Sequence, residues 1–81
     1  MPQLRDPIAI KVLADNVKRF RMERNLSQEA LANLVEIEYS QISRIERGVI
    51  NTSVSVIFAL AKALDVPPFM LIKQDAITVA G

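Results

Sequence analysis

The chain has 81 residues, no cysteine and no histidine, and its ten basic and nine acidic side chains leave a net charge of +1. That length suits one domain with a small core. The missing cysteines exclude disulfides and thiolate metal sites, and the missing histidines remove the usual general base. With so little net charge there is no global pull toward nucleic acid, so a DNA-binding surface has to gather its cations locally. A cationic start followed by an apolar run and a small-residue cleavage site is absent, as is any apolar run long enough to span a bilayer. A cytoplasmic protein is expected.

Residues 1–5 carry no periodicity and read as a loose start. Asp6-Pro7 marks a helix beginning, with Asp as N-cap and Pro where a missing N–H does no harm. The helix is predicted to run to about Arg24, burying Ile10, Leu13, Ala14, Val17 and Phe20 at three- and four-residue steps. Lys18, Arg19, Arg21 and Arg24 gather toward its C-terminal end, which suits the helix dipole. Asn25-Leu26 is the connector, and Asn tolerates the positive φ of a helix end.

A second helix is predicted over about residues 28–35, capped by the Ser27 hydroxyl. Leu31, Leu34 and Val35 are its inward residues, and Ala32 leaves room for a close neighbour. Ile37 is expected to be buried in the turn that follows. A third helix, about 39–47, buries Ile42 and Ile45 and stops at Gly48 in a left-handed conformation. Its other face carries Tyr39, Ser40, Gln41, Ser43, Arg44 and Arg47, a hydrogen-bonding row sized for a DNA major groove.

After a short loop, Val49 to Ser53, Ser53 is the expected N-cap of a fourth helix over about 54–64. Val54, Ile57, Leu60, Ala61 and Leu64 form its core stripe, which leaves Val56, Phe58 and Ala59 on other faces. Asp65 is a tolerable residue for a left-handed stop. Val66-Pro67-Pro68 sets up a short fifth helix, about 68–73, with Leu71 and Ile72 inward and Phe69 and Met70 outward. Residues 74–81 have no clear period and read as a tail.

Three groups of residues carry a family resemblance. Gln28-Glu29-x-Leu31-Ala32, then Ile37, then Ile42-Ser43-Arg44-Ile45-Glu46-Arg47-Gly48 resemble the helix-turn-helix of the lambda-repressor and Cro family, also called the xenobiotic-response-element type. The similarity continues through Asn51 and Ala61-Lys62-Ala63-Leu64, covering about residues 10–72. It implies an all-α, compact five-helix lambda-repressor-like domain: one domain over 1–81, a helical core over 6–73 and a tail over 74–81. It also implies a sequence-specific DNA-binding transcriptional regulator of bacterial or phage type. The third helix would lie in the major groove, with Tyr39, Ser40, Ser43 and Arg44 facing bases. Gln28, Arg47 and the loop Asn51, Thr52 and Ser53 would meet phosphates. Arg21 and Glu46 are expected to form a structural ion pair between the first and third helices.

Two positions depart from the family pattern. Glu36 stands where a turn glycine is usual, and a glutamate at positive φ costs on the order of 1 kcal/mol. Glu38 replaces the usual Ser or Thr before the recognition helix and is a poorer N-cap, although its charge suits a helix N-terminus. Both place negative charge beside the expected phosphate surface.

An enzyme is not expected. Asp6 with Asp15, and Glu36 with Glu38, are carboxylate pairs in a cap, on a surface and in a turn. No nucleophile–base pair, phosphate-cradling glycines or metal-ligand set accompanies them. No metal or other cofactor is implied. No sensing or cleavage domain is visible after the helix-turn-helix, so regulation by concentration is the simpler expectation.

Double-stranded DNA is the expected partner, met by a homodimer. Val49 to Ala61 contains no charged residue. Phe58, Phe69 and Met70 are left over from the two core stripes as an apolar patch of the kind that marks a contact surface. Two-fold pairing there would set the recognition helices about 34–36 Å apart, one DNA turn, to match a pseudo-palindromic operator. The alternative is a protein-interaction module on the same fold, such as an antitoxin that masks a toxin.

Overall fold

The described residues form five helices: α1 (Pro7–Glu23), α2 (Gln28–Val35), α3 (Tyr39–Arg47), α4 (Val54–Leu64) and α5 (Phe69–Ile72). They come from a computed structural model that describes residues 4–74. The expected tail lies outside the described residues, apart from Gln74. Among the described residues the architecture is all-α, with no strand.

Side-chain caps start three of the helices. Asp6 Oδ1 accepts from the Ile8 and Ala9 N–H groups at 2.9 and 3.2 Å. Ser27 Oγ accepts from Ala30 at 3.0 Å, and Ser53 Oγ from Val56 at 3.2 Å. Each satisfies a donor that the helix itself cannot pair. Glu38 makes no side-chain cap at the start of α3.

The first four helices end alike. Asn25, Glu36, Gly48 and Asp65 take φ of 56°, 63°, 71° and 57°. The next residue then donates back five positions: Leu26 to Arg21, Ile37 to Ala32 and Val49 to Arg44 at 3.1 Å, and Val66 to Ala61 at 3.0 Å. This closing bond satisfies a terminal carbonyl and turns the chain sharply. Leu26, Ile37 and Val66 are also half-buried against the core, so each stop anchors its connector. Gly48 is the one glycine of the four. A Cβ there would meet Ala14 and Ile10 only at 3.8 and 3.9 Å, so its backbone conformation, rather than space, is what favours glycine.

Val17, Leu31, Ile42, Ile45, Leu60, Leu64 and Leu71 are fully buried, with Leu13, Phe20, Ala32 and Ala61 around them. Each fully buried aliphatic side chain contributes about 1.5–3 kcal/mol over its exposed state. Helix α1 packs against α3 and α5, and α2 packs against α3 and α4.

The structure corrects several inward and outward assignments. Leu34 is 57% exposed. Helix α2 is only two turns long, and its buried residues are the adjacent Leu31 and Ala32, which leaves Leu34 off the packed face. On α4, Val56 as well as Ile57 packs against the core below Leu60, Ala61 and Leu64. That phasing turns Val54 outward, 68% exposed, onto the side of Phe58 one turn on.

Helix α5 has four residues, fewer than the 68–73 expected. With Leu71 pointing into the core, Met70 packs beside it, half-buried, rather than facing outward. Ile72 emerges instead, 60% exposed, on the same side as Phe69 one turn earlier. Asn16, on α1, is buried among the apolar residues and donates from Nδ2 to the Leu71 and Lys73 carbonyls at 2.9 and 3.0 Å. It satisfies carbonyls that so short a helix cannot pair, and it holds α5 to α1.

Candidate nucleic-acid interface

Helices α2 and α3 with the Glu36–Glu38 turn form the helix–turn–helix. Ile42 and Ile45 fasten α3 to the core at 0% and 2% exposure. A step of 100° per residue then brings Ser40, Ser43, Arg44 and Arg47 to the opposite face, with Tyr39 at its flank. Tyr39, Ser40, Arg44 and Arg47 are exposed, and Ser43 is half-buried. Gln41 is half-buried on the other flank.

The angle of α3 is set by a cluster around Arg21. Its Nε donates to Glu46 Oε2 at 2.6 Å and its Nη2 to Oε1 at 3.0 Å, a two-pronged grip on one carboxylate. Its Nη1 donates to the Leu26 carbonyl at 2.7 Å. Gln28 Nε2 completes the set, donating to Glu46 Oε1 at 3.0 Å. Exposure of the Arg21 and Glu46 side chains is only 13% and 3%. The Glu46 hydrogen bond pushes the Arg21 guanidinium pKa up against the pull of burial, with the charge attraction adding to the rise. One cluster therefore joins α1, its connector, α2 and α3.

The expected phosphate residues divide. Arg47 is exposed. Gln28 is half-buried and engaged with Glu46, although its second amide N–H is left over. Asn51 Nδ2 donates to the Leu4 carbonyl at 3.0 Å. Ser53 Oγ caps α4 while keeping its own hydrogen to donate. Thr52 is half-buried between them.

Leu4 and Arg5, expected in a loose segment, are tied to this loop, which residue pattern alone did not indicate. Arg5 Nη2 donates to the Val49 carbonyl at 3.1 Å, in the opposite sense to the Asn51–Leu4 bond. Charge along the surface is uneven: Glu36 and Glu38 lie before α3, whereas Arg44, Arg47 and Arg5 lie toward its end. Of the residues expected at a subunit contact, Phe58 and Phe69 are 58% and 56% exposed. Among the described residues no group of acidic side chains is arranged to hold a metal ion, and no helix is long and apolar enough to cross a membrane.

Comparison with known proteins shows the family. A family model described as helix-turn-helix matches residues 17–71. Control protein C.SmaI of Serratia marcescens is 38% identical over 65 residues, 79% of this chain and 77% of the relative. The crystal structure of a hypothetical transcription factor, NHTF from Neisseria, is similar with a TM-score of 0.83 and 30% identity, covering 99% of this chain and 93% of that one. The restriction-modification controller protein C.Esp1396I, solved as a tetramer with its natural 35 base-pair operator, is similar with a TM-score of 0.72 and 25% identity. That match covers 78% of this chain and 83% of the controller.

Proposed function

The chain belongs to the lambda-repressor-like helix-turn-helix family of DNA-binding transcription regulators, and from that premise we propose that it is a restriction-modification controller type of regulator acting as a homodimer on a pseudo-palindromic operator. The observation that carries this reading is the exposed face of α3, held at a fixed angle by Arg21, Gln28 and Glu46. A recognition helix must be rigid relative to the domain to present several side chains to base edges at once. The similarities to C.SmaI and to the operator-bound C.Esp1396I support the controller assignment.

In this reading Ser40, Ser43 and Arg44 face bases, with Tyr39 offering its ring edge and hydroxyl. Arg44 is suited to a paired hydrogen bond with guanine. Arg47, the remaining Gln28 N–H and the loop of Asn51, Thr52 and Ser53 hold phosphates and fix register. The dimer contact uses the outer faces of α4 and α5. Phe58 and Phe69 are its centre, joined by Val54 and Ile72 in place of a fully outward Met70. A second copy covers these apolar groups and presents the same patch in return.

Sedimentation equilibrium at micromolar concentration tests the dimer, with Phe58→Asp and Phe69→Asp as disrupting variants. The wild type is expected to sediment as a dimer and the variants as folded monomers. A wild type that stays monomeric with and without duplex DNA would overturn the dimeric reading.

A further inference from the structure

We infer that Arg5, outside the helix-turn-helix, is a DNA-phosphate contact supplied to the 49–53 loop by the segment before α1; this rests on the DNA-binding reading above. The loop expected to face phosphate has no cation of its own, for no charged residue occurs between Arg47 and Lys62. Backbone N–H groups and neutral side chains can receive a phosphate there but cannot displace its counterion. Arg5 is brought to the loop across 44 residues of sequence.

The attachment is reciprocal. The Arg5 side chain donates to the Val49 carbonyl, and the Asn51 side chain donates to the Leu4 carbonyl, at 3.1 and 3.0 Å. These two bonds tie the arm to the loop, and they hold the guanidinium at the Val49 carbonyl, where the loop begins. A guanidinium has five N–H donors, and the Val49 bond engages one of them. Arg5 is exposed, so the remaining donors face solvent where a phosphate oxygen can enter. Anchoring before binding reduces the side-chain entropy lost on contact. The acidic pair Glu36 and Glu38 lies at the other end of α3, so Arg5 extends the positive end of the surface rather than offsetting the negative one.

The test compares wild type, Arg5→Gln and Arg5→Lys on a duplex enriched from a random pool by the wild-type chain, across a range of salt. Glutamine keeps a donor for the Val49 carbonyl but removes the charge, whereas lysine keeps the charge. Arg5→Gln is expected to reduce the slope of log affinity against log salt by about 0.9 per subunit, with roughly a tenfold loss per subunit near 0.1 M salt. Arg5→Lys is expected to keep most of the slope. An unchanged slope in Arg5→Gln, with wild type binding normally, would overturn the role of Arg5 alone. A wild type that enriches no duplex would overturn the DNA reading and this proposal with it.

Discussion

Gln28 Nε2 lies 3.0 Å from Glu46 Oε1, an oxygen that also accepts from Arg21. A residue expected to hold phosphate is thus fastened to the clamp that sets the recognition helix. Removing the carboxylate leaves the Arg21 charge largely enclosed and frees Gln28. Loss of one partner from a buried ion pair costs about 3–5 kcal/mol. Glu46→Ala is therefore expected to lower both the melting temperature and DNA affinity, although Glu46 lies off the exposed face. Thermal unfolding by circular dichroism checks the first part. A melting temperature equal to wild type would mean that the clamp does not hold the fold.

Glu36 occupies a left-handed position that its neighbours in the same role fill with Asn, Gly and Asp. A left-handed conformation costs an L-residue about 1–2 kcal/mol, and glycine avoids it while losing about 0.5–1 kcal/mol of unfolded-state freedom. Glu36→Gly is expected to stabilise the fold by about 1 kcal/mol, raising the melting temperature by roughly 4–8 °C for a domain this small. Glu36→Ala removes the charge but keeps the Cβ. Equal stabilisation by alanine and glycine would assign the effect to charge rather than backbone.

Asn16 supports α5 from beneath. Substitution by alanine leaves the Leu71 and Lys73 carbonyls without this donor, at about 1–3 kcal/mol for a buried polar group. The expected signature is local: faster hydrogen exchange at Met70 and Leu71, with amides of α2 and α3 changed less. Uniform acceleration across all helices would show that Asn16 supports the whole core instead of one helix.

Helix starts and stops were legible because capping is local chemistry. Asp6-Pro7, Ser27, Ser53, Asn25, Gly48 and Asp65 announce themselves within a few residues. The wholly buried positions of α1 and α3 were legible for a similar reason, since a stripe repeated over several turns has one possible inward side. The two-turn α2 and the one-turn α5 lack that redundancy: Leu34 and Ile72 are expected inside and lie outside, and Met70 is expected outside and packs against the core. Val54 is the first residue of α4, where the stripe holds at Leu60, Ala61 and Leu64 but Val56 and Ile57, rather than Val54, meet the core. Asn16 and Arg5 were missed because their partners lie far along the chain, at Leu71 and Val49.

Arg44 is exposed on the middle of the recognition face. A paired bond from its guanidinium to guanine discriminates by about 1–3 kcal/mol. Arg44→Ala is expected to weaken binding to the preferred duplex and to relax preference at one base pair in each half-site. Competition binding with single-base variants measures both. An equal loss on preferred and random duplexes would assign Arg44 to the phosphate backbone.

Sequence-specific recognition by a two-fold pair is tested most directly by selecting bound duplexes from a random DNA pool with the wild-type chain and sequencing them. The expected product is an enriched motif of two inverted half-sites with centres about 10 base pairs apart, one helical turn. A pool that shows no enriched motif, or a single half-site without its inverted mate, would contradict it.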